Sequence, residues 1–99
     1  MNRRAKLAQW DIPFIAAGGV TLVARDRCAA CIGRLLREGC DLFGYEGFTL
    51  FADGKYQPNL EWSASWSASA VPSAAEIVAQ LEEAPPEVTH YEFVFRHDL

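Results

Sequence analysis

The stretch Glu61-Trp62-Ser63-Ala64-Ser65-Trp66-Ser67-Ala68-Ser69 alternates without interruption between apolar and polar side chains. A β-strand sends successive side chains to opposite faces. Leu60, Trp62, Ala64, Trp66, Ala68 and Ala70 are therefore expected on one face, and the serines with Glu61 on the other. The two indoles bring a large apolar area, and the alanines between them leave room for a helix to lie close. The pattern predicts a long strand with one buried face, against which the other elements must pair or pack.

Elements on either side can be placed by the same logic. Val20–Ala24 is rich in β-branched residues and predicts a strand. After Asp26, a candidate N-cap, residues Cys28, Cys31, Ile32, Leu35 and Leu36 fall at i, i+3, i+4, i+7 and i+8, which predicts a helix over Arg27–Glu38 stopped by Gly39. Ala52-Asp53-Gly54-Lys55 predicts a two-residue type I′ turn joining Leu42–Ala52 to a return strand that starts near Tyr56. Pro58 lacks a ladder donor, which requires an edge position or a bulge there.

A regular register sets Trp62 opposite Tyr45. It puts Phe43, Tyr45 and Phe51 on the tryptophan face, and Phe48 and Leu50 with the serines. A one-residue bulge at Pro58-Asn59 would reverse that assignment; the regular register is the one adopted. Ser73 and Glu76 have the spacing of a capping box, opening a helix that Pro85-Pro86 ends. Val88–Arg96 predicts the last strand, with Tyr91, Phe93 and Phe95 on one face and His90, Glu92, Val94 and Arg96 on the other.

The order strand, helix, strand, strand, helix, strand predicts an α+β fold. Its expected form is a ferredoxin-like βαββαβ plait: a mostly antiparallel four-stranded sheet with two helices on one face and the tryptophan strand mid-sheet. Residues 1–17 are expected as an N-terminal arm or short extra strand, with Leu7 and Trp10 as docking residues, and 18–99 as a single α+β domain. The helix-free face would then carry the serines with Thr21, Val23, His90, Glu92 and Arg96.

Composition bounds the partners. A formal net charge of −4 and pI near 5.0 argue against direct nucleic-acid binding. Arg3, Arg4 and Lys6 precede an apolar stretch, but Asp11, Pro13 and Gly18-Gly19 interrupt it. It therefore reads as neither a signal peptide nor the roughly 20 apolar residues of a membrane span. The three cysteines are an odd number, with two on one predicted helix, unlike a secreted disulfide framework; a cytoplasmic location is expected.

Cys28-Ala29-Ala30-Cys31 opens a helix directly after a strand. Over Val20–Gly39 this resembles the first β-α unit of glutaredoxins and thioredoxins. The resemblance implies an attacking thiolate at Cys28 and a resolving thiol at Cys31, with Arg25 and Arg27 as the cations that lower the thiol pKa. Pro72, however, leads into a helix cap rather than the strand that follows that family's cis-proline. Both cysteines also fit the apolar stripe with Ile32 and Leu35, and the core assignment is preferred. Cys28, Cys31 and Cys40 with His90 or His97 lack the paired spacing of a zinc site, and no metal or cofactor is expected. The serine ladder has no nucleophile elbow, and Gly18-Gly19 has no phosphate-loop companions.

These residues point to a small, acidic, non-catalytic interaction module that binds a protein partner or itself as a homodimer, of a size suited to an inhibitor, an immunity-type or a phage accessory protein. The expected contact face carries Phe48, Leu50, Ser63, Ser65, Ser67, His90, Glu92 and Arg96. The alternatives are a thiol–disulfide protein using Cys28 and Cys31, or a small-ligand site on the open sheet face near His90 and Arg96.

Overall fold

A computed structural model describes residues 3–97. α1 (Arg3–Gln9) comes first, followed by β1 (Ile15–Ala17) and β2 (Val20–Ala24). Then come α2 (Cys28–Arg37), β3 (Asp41–Leu50), β4 (Tyr56–Ser65), α3 (Ala74–Glu82) and β5 (His90–Arg96). The ends of the expected arm and domain, residues 1–2 and 98–99, lie outside the described residues, as does the side chain of Ala68.

Helix boundaries follow local chemistry. Gly39 takes φ +76°, a conformation that costs glycine little, and lets Cys40 N–H return to Leu35 O at 3.0 Å, which closes α2. At the start of α3, Ser73 Oγ accepts from Glu76 N at 3.2 Å, half of the expected capping box. Asp26 makes no cap: it lies in a 3-10 turn, Arg25–Arg27, and α2 begins without a side-chain cap.

The fold is α+β with three helices and a five-stranded antiparallel sheet, ordered β1-β2-β5-β3-β4. This corrects the four-stranded plait. The sheet has a fifth strand, β3 and β5 lie side by side in its interior, and the tryptophan strand β4 is at the edge rather than mid-sheet. Burial explains the placement. β3 buries side chains on both faces, as an interior strand must, whereas β4 is largely exposed and contains Pro58, which an edge tolerates.

The hairpin also departs from the expected register. Its turn is not type I′. Gly54 N–H donates to Phe51 O at 3.0 Å, Phe51 N–H donates to Lys55 O at 2.8 Å, and only Gly54 has a positive φ, of 88°. This is a tight turn closed by a left-handed glycine, so Leu50 pairs with Tyr56. Further along, Glu46 alone separates Tyr45 from Gly47 on β3, while Leu60, Glu61, Trp62 and Ser63 lie between Asn59 and Ala64 on β4. Four residues against one leave an odd surplus of three, so the strand changes faces within the bulge. Tyr56 and Pro58 lie on the helix-free side, whereas Ala64 pairs with Tyr45 on the helix side. Two glycines permit β4 to run this close: a Cβ on Gly44 would collide with Ala64 O, and one on Gly47 would lie 2.8 Å from Trp62 O. β4 ends at Ser65, where Trp66 Nε1 donates to Leu42 O at 2.8 Å, and a 3-10 turn at Ala68–Ala70 replaces the expected continuation.

The main core lies between the sheet and all three helices. Leu7, Trp10 and Ile12 from the expected arm are buried in it, together with Cys28, Ile32 and Leu35 of α2, Ile77 and Leu81 of α3, and Tyr45, Tyr91, Phe93 and Phe95 of the sheet. Val23 belongs to this core rather than to the open face. A bulge at Phe43 in the β3–β5 ladder turns Leu42 and Tyr45 inward together, and leaves Phe43 beside the Arg96 guanidinium instead of in the core. Leu22 and Phe48 are fully buried outside the main core. Ala24 and Phe48 both pair with His90, which puts Leu22 and Phe48 on the helix-free face.

β2 changes partner along its length. Val23 and Ala24 pair with β5, while Val20–Leu22 pair with β1. At the point of separation the Glu92 carboxylate accepts from Thr21 N–H at 2.7 Å, which also turns Glu92 away from its cross-strand neighbour Glu46. Arg4 of α1 fastens the same corner, donating to Thr21 Oγ1, Gly18 O and Val20 O, each at 2.8 Å.

Candidate functional site

The eight residues expected to form one contact face divide into structural and exposed groups. Phe48 does lie on the helix-free face, but it is only 2% exposed, with the Tyr56 ring edge-on at 5.8 Å. It therefore offers no apolar anchor to a partner, which corrects that expectation; Leu50 is half-buried. Ser63 stitches the β4 bulge, accepting from Gly47 N–H at 3.2 Å and donating to Asn59 O at 3.1 Å. Ser65 and Ser67 are exposed.

His90, Glu92 and Arg96 do not converge. His90 is held through Nδ1 at 2.8 Å from Thr89 Oγ1, which itself accepts from Leu50 N–H at 2.9 Å. Burial lowers the His90 pKa, opposed by the Asp26 carboxylate. Arg96, six residues on and about 20 Å along the strand, pairs with Asp41 at 3.2 Å. The small-ligand site expected near His90 and Arg96 is not assembled.

The cysteines are buried and free. Cys28 and Cys31 are each 1% exposed, and Cys40 is 7%. Desolvation, then the neighbouring Cys31 and Asp26, push the Cys28 thiol far up, with only Arg25 opposing. Cys31 is pushed up to about 12 by desolvation and Cys40. An attacking thiolate needs the opposite shift. Among the described residues no group of three His, Cys, Asp or Glu side chains is placed to hold a metal ion.

Buried neutral thiols imply alkaline instability. An unfolded cysteine ionises near pH 9, while folded Cys31 keeps its proton to about pH 12. As pH rises between these values, the unfolded chain has released protons that the folded chain retains, so equilibrium moves toward unfolding. Stability present below pH 9 is lost above it, at up to about 1.4 kcal/mol per pH unit for each such thiol. Urea unfolding at pH 7 and pH 10 is expected to show this loss, and Cys28→Ala with Cys31→Ala to flatten it. An unchanged slope in that double variant rules Cys28 and Cys31 out as its source.

What the sequence pattern did not indicate is where apolar surface remains open. Among the described residues four large apolar side chains are exposed: Ile15 at 45%, Phe51 at 48%, Tyr56 at 38% and Leu60 at 77%. Three of them belong to the β3–β4 hairpin. Strict alternation assigned Leu60, and the regular hairpin register Phe51, to the buried face. The bulge carries Leu60 out into solvent, and the glycine-closed turn does the same for Phe51. Pro58 was the available signal for the irregularity.

No helix among the described residues is long and apolar enough to cross a membrane. The chain matches no known family model, no curated protein and no solved structure.

Proposed function

We propose that this protein is a non-catalytic interaction module that binds through the edge of its β3–β4 hairpin, to a protein partner or to a second copy of itself. The observation that carries this is the exposure of Phe51, Tyr56 and Leu60 on one hairpin whose outer strand, β4, is paired on one side only among the described residues. An edge strand offers unpaired backbone groups to an incoming strand, and adjacent apolar side chains give such a contact its affinity. The burial of the thiols and the separation of His90 from Arg96 favour this function over the thiol–disulfide and sheet-face ligand alternatives. An inhibitor, immunity-type or phage accessory role suits an acidic module of this size.

Sedimentation velocity over a concentration series tests the self-association form. The parent chain is expected to dimerise reversibly. Leu60→Lys, present once in each copy, is expected to weaken the dimer by up to about a thousandfold, the equivalent of losing two buried leucines, about 4 kcal/mol in all. A photo-crosslinking residue at position 60, compared with one at exposed Ala75 on α3, tests the partner form. A monomeric parent with equal crosslinking at the two positions overturns the proposal.

A further inference from the structure

The chain has nine lysine and arginine side chains, and seven have tasks visible in the fold. Arg3, Arg4 and Arg25 donate to backbone carbonyls. Lys6 lies over the Trp10 ring, while Arg34, Lys55 and Arg96 pair with Glu38, Asp53 and Asp41. Arg27 and Arg37 are exposed and have no hydrogen-bond or ion-pair partner among the described residues. These two line the same cleft, of about 200 Å³, between α2 and the segment Trp10–Pro13.

Position explains the convergence. Residues 27, 34 and 37 fall at i, i+7 and i+10, one stripe of a helix, so Arg34 also lines the cleft. Trp10, Ile12, Ala30 and Cys31 give it an apolar lining, and Asp11 is the one acidic residue there. Arg34 is already paired with Glu38, so the Arg27 and Arg37 guanidiniums against the Asp11 carboxylate leave this concavity net positive on a chain of net charge −4. Low-dielectric walls concentrate that field. Guanidinium is the side chain best matched in shape to paired carboxylate or phosphate oxygens. A cavity of about 150 Å³ holds a benzene ring, so this cleft has space for one ring and its anionic substituent.

We propose that the α2 cleft binds a small organic oxyanion, a phosphate monoester or carboxylate carried on an apolar body, with Arg27 and Arg37 as its principal charge partners. This site is separate from the β3–β4 hairpin and does not depend on it.

The test is an NMR titration of the full chain with phenyl phosphate, benzoate and inorganic phosphate, following backbone amides and the Trp10 indole. Phenyl phosphate or benzoate is expected to give saturable shifts confined to the cleft, with a dissociation constant of about 1 mM or below. Tighter binding of phenyl phosphate assigns phosphate monoesters; tighter binding of benzoate assigns carboxylates. Arg27→Gln combined with Arg37→Gln is expected to weaken binding about tenfold or more, and Asp11→Asn to tighten it. Both arginines are exposed, so an otherwise unchanged amide spectrum verifies that the double variant is folded. Shifts that do not saturate, or affinity unchanged in the double variant, overturn the site. Inorganic phosphate binding as tightly as phenyl phosphate overturns the assignment of an apolar body.

Discussion

Replacing Arg25 by methionine is expected to destabilise the fold by about 3 kcal/mol, lowering the thermal midpoint by about 12–20 °C. The guanidinium closes the C-terminal end of α3. It donates to Glu82 O at 3.0 Å, Pro85 O at 2.8 Å and Val88 O at 3.2 Å, and also to Ala84 O. The last turn of any helix leaves carbonyls without intrahelical donors, and here one side chain from a distant turn serves the helix end and the loop after it. Methionine keeps the aliphatic stem and removes every donor. Lysine cannot span four divergent carbonyls and should recover only a minor part of the loss. Calorimetry of the three proteins decides the matter: a methionine variant within about 0.5 kcal/mol of the parent would reduce this cluster to an ordinary surface contact.

Phe48→Ala is expected to cost about 3–5 kcal/mol, close to the effect of emptying a main-core position. The expectation is counterintuitive, because Phe48 lies on the face without helices, where alanine ordinarily costs little. Tyr56 changes the outcome. Its ring covers Phe48, and a Cβ on Gly18 would be 3.4 Å from its hydroxyl, so the tyrosine reaches from β4 to the β1–β2 turn. The sheet thus closes over a second small apolar layer. Equilibrium urea unfolding gives the value directly, and a loss below about 1 kcal/mol would mean that Phe48 is effectively a surface residue.

Much of the element order was legible in the sequence because it depends on local signals. The stripe from Cys28 to Leu35 predicted a buried helix face, Gly39 its end, and Ser73 with Glu76 the next helix start. All three act through groups within a few residues of one another. Strand order was not legible in the same way. It depends on whether β4 or β5 gains more by lying between β2 and β3. The strict alternation of β4 suggested an interior strand, whereas Pro58 required an edge or a bulge. The bulge was less accessible still. It exists because Gly44 and Gly47 let β4 approach closely and Ser63 satisfies the Gly47 donor that the ladder leaves, and these relations join residues fifteen or more apart. The candidate contact surface was therefore misplaced at Phe48, while Leu60, assigned to the interior by its alternation, is the most exposed large apolar residue among those described.

The same irregular edge bears on aggregation. A flat, continuous outer strand would offer its full row of donors and acceptors to any passing chain, and each chain added would present a new edge in turn. Here Pro58 removes one donor and the bulge at Leu60–Ser63 breaks the row into two short runs at different levels. A single strand shaped to that step can settle against it, but repeated stacking into a filament would need the step reproduced in every layer. The interruption that kept this strand out of the sheet interior also acts as a gatekeeper, letting the hairpin keep apolar residues in solvent with little risk of open-ended polymerisation.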